Sequence, residues 1–123
     1  MIHLDYKDSR PIYEQVADRL KELMILGVLE EDGQMPSVRS LAVELSINPN
    51  TIQKAYAALE QQGFIYSVKG RGNYVADCSR LREQKKQELF YRFRQQISYG
   101  REIGISKEEY QKLLEECWKE GTR

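Results

Sequence analysis

The sequence predicts a mainly α fold with a small β-hairpin: three helices, two short strands, then two more helices. Three observations carry that expectation. Apolar residues recur at helical spacing in three segments between Pro11 and Gly63. After Gly63 the period drops to two on either side of a glycine-containing turn. Beyond Ala76 the composition shifts to Arg, Lys, Gln and Glu, interrupted by incomplete apolar stripes.

Taken in order, Ile2 to Tyr6 alternates apolar and polar residues, which suits an edge strand or a docked terminus. Pro11 stands where a helix would begin, with Ser9 placed to cap it. Ile12, Val16, Leu20, Leu23 and Met24 form the inner stripe of that helix, and Gly27 ends it. Glu30-Glu31-Asp32-Gly33 reads as a solvated polar turn. Ser37 then caps a short second helix whose inner face is Val38, Leu41, Ala42 and Leu45. Ser46-Ile47-Asn48 breaks it, and Asn48-Pro49 restarts helix at once, as N-cap and first helical residue. This third helix buries Ile52, Ala55, Tyr56 and Leu59 and stops at Gly63. Phe64–Val68 and Asn73–Val75 are strand-like, joined by Lys69-Gly70-Arg71-Gly72. Two short helices across a three- or four-residue turn, preceded by a longer helix and followed by a hairpin, spell a winged helix-turn-helix over about Pro11 to Ala76. The expected organisation is therefore a winged domain at 1–76 and a helical tail at 77–123.

In the tail, Leu81, Leu89, Phe90, Phe93 and Ile97 make an incomplete stripe, and Gly100 and Gly104 bracket a turn. Ser106-Lys107-Glu108-Glu109 is a capping-box sequence, followed by Tyr110, Leu113, Leu114, Cys117 and Trp118 at helical spacing. Two helices bury too little to be stable alone, so their stripes need a partner. Self-association is the economical solution.

Composition limits the function. The 123 residues are 41% hydrophobic and 31% charged, enough for a small core but not for one that encloses a large substrate. Basic and acidic side chains balance at 19 each, which excludes a polycation and leaves room for a local basic patch. No apolar run approaches the ~20 residues of a membrane span. The start, Met1-Ile2-His3-Leu4-Asp5, lacks the layout of a secretory leader. The expectation is a soluble cytoplasmic protein with no membrane partner. Cys78 and Cys117 have no CxxC spacing, and His3 is the single histidine. A structural zinc site would need about four ligands at motif spacing. The reading is thus no metal, no cofactor, no catalytic residue, and two reduced thiols.

With Ile52, Ala55, Tyr56 and Leu59 inward, Asn50, Gln53, Lys54 and Ala57 turn outward. Asn and Gln can pair bidentately with adenine edges, Lys can reach guanine or phosphate, and small Ala57 permits close approach to a major groove. Thr51 flanks this face and suits a phosphate or a thymine methyl. Ser37 and Arg39 open the second helix, whose free N–H groups attract a phosphate. Lys69, Gly70 and Arg71 at the hairpin tip suit a phosphate or a narrow minor groove. Each position also has a bland reading as a solvated surface residue, a plain cap or an ordinary turn. Residues up to Ala76 carry eight basic and ten acidic side chains, so a DNA surface here requires geometric sorting of charge.

The runs Gly33-Gln34-Met35-Pro36-Ser37-Val38-Arg39-Ser40-Leu41-Ala42, Asn48-Pro49-Asn50-Thr51-Ile52-Gln53-Lys54-Ala55-Tyr56, Leu59-Glu60-Gln61-Gln62-Gly63-Phe64-Ile65 and Gly70-Arg71-Gly72-Asn73-Tyr74-Val75 resemble the GntR family of bacterial transcription regulators. The short two-helix tail resembles the YtrA-type subfamily. Met35 stands where the family usually has Leu. The resemblance implies a homodimer on a double-stranded palindromic operator, usually repressing, often at transporter genes. By motif position it puts DNA contacts on Ser37, Arg39, Asn48, Asn50, Thr51, Gln53, Lys54, Lys69, Gly70 and Arg71, with Asn48 also open to a capping role alone. It puts dimerisation on the tail, for which Leu89, Phe90, Phe93, Ile97, Tyr110, Leu113, Leu114 and Trp118 are the candidates, against a reading as intrachain packing. Two other readings stay open: a winged-helix protein-interaction module, and a sensor gated by an unknown small molecule beside Tyr99, Tyr110 and Trp118.

Overall fold

The structure is a computed structural model and describes residues 2–121. Its elements are α1 (Ile12–Ile25), α2 (Val38–Leu45), α3 (Pro49–Gln61), β1 (Ile65–Val68), β2 (Gly72–Val75), α4 (Ser79–Glu102) and α5 (Lys107–Glu120). This is a winged helix-turn-helix followed by two helices. Two compact units divide the chain, one ending at Arg82 and the other beginning at Glu83.

In the first unit the stripes of α1, α2 and α3 meet in one core. Val16, Leu20, Met24, Leu41, Ile52, Tyr56 and Leu59 are buried there, closed on the sheet side by Ile65 and Val75. Removing most of one such side chain, as in Leu59→Ala, costs about 2–5 kcal/mol, a large share of a small domain's stability. The terminal segment is docked rather than paired. Ile2 and Leu4 pack against the core, the Asp5 N–H donates to Gln15 Oε1 at 3.0 Å, and Arg19 donates to the His3 carbonyl.

Helix boundaries follow local chemistry, with one correction. Ser9 does not cap α1: Pro11 occupies the N-cap in extended conformation, and its carbonyl accepts from the Glu14 and Gln15 N–H groups. Ser9 stands two residues before that position, and no side chain caps the helix. Ser37 and Asn48 cap as expected, accepting from the N–H groups of Ser40 at 3.0 Å and Asn50 at 2.8 Å. The turn between α2 and α3 places Ser46 at φ +54°, where the Ser46 and Ile47 N–H groups close back onto Val43 and Ala42.

The sheet is wider than its two regular strands. β1 and β2 pair antiparallel from Ile65 opposite Val75 to Val68 opposite Gly72. Residues 32–35 run along the other edge of β2: Asp32 N–H donates to Val75 O, Val75 N–H to Gly33 O, and Met35 N–H to Asn73 O. The expected solvated turn at Glu30–Gly33 therefore continues into a third, short sheet edge. Asp32 is also not merely solvated, because its carboxylate accepts from the Tyr66 hydroxyl at 2.8 Å.

The Tyr56 hydroxyl donates to the Pro36 carbonyl at 2.7 Å, and burial pushes its phenol up to about 12. A raised pKa means that folding favours the neutral phenol. This stabilisation is complete below the ordinary tyrosine pKa and is lost as pH climbs through about 10 to 12. Wild type is expected to lose about 2–3 kcal/mol more than Tyr56→Phe over that alkaline range, measured by urea unfolding at stepped pH. Parallel losses in the two proteins would refute the assignment.

The first turn of α4 belongs to the winged unit. Cys78 is buried, and Arg82 donates through Nε to the Ile25 carbonyl at 3.2 Å, at the end of α1. In the second unit α4 and α5 form a helical hairpin. Its turn is at Gly104, φ +97°, and the capping box is complete, with Ser106 and Glu109 exchanging bonds of 3.1 Å. Gly100 does not lie in the turn. It is a buried position inside α4, over which the Tyr110 hydroxyl passes to donate to the Gln96 carbonyl at 3.2 Å. A side chain at residue 100 would occupy the space of that hydroxyl.

Candidate nucleic-acid interface

The segment Gln34–Ser37 is the junction on which the candidate residues converge. On one side Met35 N–H is bonded to Asn73 of β2, and on the other the Pro36 carbonyl is held by Tyr56 of α3. Ser37 follows immediately as the cap of α2. One short stretch of backbone thus ties together the wing, the start of α2 and the recognition-type helix α3.

Around it the side chains sort as their spacing dictates. On α3, Ile52, Ala55, Tyr56 and Leu59 are buried, while Asn50, Gln53, Lys54 and Ala57 are exposed and Thr51 is half-buried. Arg39 projects from the first turn of α2, and Lys69, Gly70 and Arg71 form the exposed hairpin tip. α2 and α3 carry one acid each, Glu44 and Glu60, and β1, β2 and their connection contain none, although Glu60 and Asp32 accept from Ser67 and Tyr66 of β1. The acids that touch the wing lie against β1, whereas the hairpin tip and the first turns of α2 and α3 carry none. Among the described residues Arg39, Asn50, Gln53, Lys69 and Arg71 make no side-chain hydrogen bond or ion pair, so their polar groups stay open to an incoming partner.

Three candidates already have work within the chain. Ser37 Oγ and Asn48 Oδ1 serve as caps. The Lys54 ammonium sits 5.2 Å from the centre of the Tyr13 ring, a cation–π contact that draws it toward α1. Tyr13 was not foreseen. Its place one residue after Ile12 put it off the apolar stripe, and only the packing of α1 on α3 reveals it. Gln34 was likewise missed as a site residue: its amide donates to the Arg71 carbonyl at 2.8 Å, a contact between positions 37 residues apart.

In the tail, Leu89, Phe90, Phe93, Leu113, Leu114 and Trp118 are exposed, and Ile97 and Tyr110 half-buried. Tyr110 closes the hairpin onto Gln96, so intrachain packing accounts for its hydroxyl end. Phe93, Ile97, Ile105, Tyr110 and Leu114 line an open, mostly apolar groove of about 620 Å³. No helix among the described residues is long and apolar enough to cross a membrane.

The family model for bacterial regulatory proteins of the gntR family matches residues 12–75. The chain belongs to the GntR family. Over 118 residues it is 36% identical to the HTH-type transcriptional repressor YtrA of Bacillus subtilis (strain 168), covering 94% of this chain and 91% of that protein. A transcriptional regulator from Oenococcus oeni has a similar structure, with TM-score 0.69, 29% identity and coverage of 96% and 99% of the two chains. The structure of AraR(DBD) in complex with an operator matches 60% of this chain and 89% of that one, at TM-score 0.54 and 31% identity. This GntR-family chain is accordingly a helix-turn-helix transcriptional regulator, not an enzyme, and its two-helix tail is of the YtrA type.

Proposed function

We propose that this regulator is a repressor that binds a palindromic operator as a homodimer, with transporter genes among its targets. Residues 1–76 form the DNA-binding domain and 77–123 the dimerisation tail. The observation that carries the reading is the junction at Gln34–Ser37, which joins three exposed, acid-poor elements at one point. Asn50 and Gln53 read base edges in the major groove, with Thr51 and Lys54 beside them. Arg39 and the N-terminus of α2, capped by Ser37, hold a phosphate. Lys69, Gly70 and Arg71 of the wing meet the flanking minor groove. Asn48 contributes its cap and its remaining amide.

The apolar side chains exposed along α4 and α5, from Leu89 to Trp118, support the dimer, since a chain this small gains by covering them. The YtrA relative supports repression through its name, and the AraR(DBD) complex supports operator DNA as the ligand.

Selection of bound sequences from a random duplex pool tests the reading directly. The expected product is a palindrome with half-site centres about one helical turn apart, ~34 Å. Recovery of no enriched sequence at low salt would reject it. Asn50→Ala is expected to cost about 1–3 kcal/mol on the selected operator and to relax preference at one base position. Equal losses on operator and random DNA, in titrations run side by side, would remove Asn50 from base readout.

A further inference from the structure

We propose that Gln34 is a positioning residue for the wing, acting on DNA affinity through Arg71 without touching the nucleic acid itself. The inference rests on the reading of Arg71 given above.

The tip of the hairpin carries few restraints of its own. Gly70 and Gly72 lie at φ +78° and +109°, and nothing stands within 4 Å of where a Gly70 side chain would begin. Within the hairpin, the turn is closed by the bond from Arg71 N–H to the Val68 carbonyl. The second restraint comes from outside. Gln34 lies opposite Tyr74 on the third sheet edge, and its side-chain amide reaches along β2 to the Arg71 carbonyl at 2.8 Å. Arg71 is thereby held on both its N–H and its carbonyl, while its guanidinium stays free.

Neighbouring bonds fix Gln34 in turn. The backbone on either side of it is paired with β2, through Gly33 O to Val75 N–H and Met35 N–H to Asn73 O. Pro36, two residues on, is bonded to Tyr56 of α3. The wing cation is therefore registered against the recognition-type helix through a chain of named bonds. Loss of the Gln34 amide leaves the strands paired and releases the tip. Binding then has to order Arg71, which weakens affinity.

The decisive experiment is a double-mutant cycle between Gln34 and Arg71, read as operator affinity at several salt concentrations. Gln34→Met keeps side-chain length and removes the donor, and Gln34→Ala is the second variant should Met perturb the surface. Gln34→Met is expected to weaken binding about three- to tenfold per wing, the worth of one neutral hydrogen bond, and about ten- to a hundredfold for the proposed dimer. In an Arg71→Ala background the same change is expected to cost less than about twofold, because there is no cation left to place. Additive losses, or a Gln34→Met protein that binds as wild type while Arg71→Ala does not, would overturn the inference. If Arg71→Ala itself leaves affinity and salt slope unchanged, the wing reading fails first and this inference with it. Thermal unfolding of each variant keeps a folding defect separate from a lost restraint.

Discussion

Gly100→Val is expected to strain open the tail hairpin and, through it, to weaken the proposed dimer. The position is buried within α4, and a Cβ there falls on the Tyr110 hydroxyl and within 3.1 Å of Ile105 Cδ1. A tyrosine ring cannot flex aside as a lysine end can, so α5 must move. Overpacking of this kind costs about 1–3 kcal/mol, and a β-branched residue stands at the upper end. Valine recovers less than the ~1 kcal/mol of helix propensity that alanine would at a helical glycine, so the gain does not offset it. If the tail forms the proposed dimer, sedimentation equilibrium should show the variant shifted toward monomer relative to wild type, with operator affinity falling in parallel. Gly100→Ala should give a milder form of the defect, and Gly100→Ala with Tyr110→Phe should recover part of it, since the hydroxyl is the first atom met. A Gly100→Val protein that remains dimeric would show that the tail associates without its hairpin.

The second large effect is electrostatic. In the proposed dimer, Arg39→Ala combined with Arg71→Ala would remove about four cationic contacts to DNA. A dimer that neutralises roughly six to eight phosphates should show log K against log salt with a slope of about −5 to −7. The double variant should flatten that slope to about −2 or −3 and lose affinity on operator and random duplex alike. Neither guanidinium has a hydrogen-bond or ion-pair partner among the described residues, so the fold should be unaffected. An unchanged slope with reduced affinity would assign the loss to folding or base readout instead.

The parts legible from sequence were those whose signal is local. α1, α2 and α3 each carry enough periodic apolar residues to place their inner faces, and the Ser37 and Asn48 caps are read from residue type and position. The parts that escaped depend on a partner distant in the chain. Gly100 resembles a turn glycine until Tyr110 is seen crossing it. Residues 32–35 do alternate in exposure, but with a single apolar residue, Met35, among Asp32, Gly33 and Gln34 the pattern is too short to read. Ser9 was a plausible cap by type, but Pro11 already fulfilled the requirement for an extended residue there. For the interface, outward orientation could be read from periodicity, whereas Tyr13 under Lys54 and Gln34 behind Arg71 could not. Both are contacts between elements, and no residue type announces them.

The contrast between the two cysteines gives the protein a built-in chemical reporter. Both thiols are free. Cys78 is buried, donates to the Ala76 carbonyl and has its pKa raised by that burial, whereas Cys117 is exposed on α5 beside Trp118. Access favours alkylation at Cys117, while burial protects Cys78 and keeps its thiol protonated. A maleimide dye should therefore label the tail at one position without any engineered handle. Were the proposed dimer to cover α5 beside Trp118, that labelling should quicken on dilution and report the separation of its subunits.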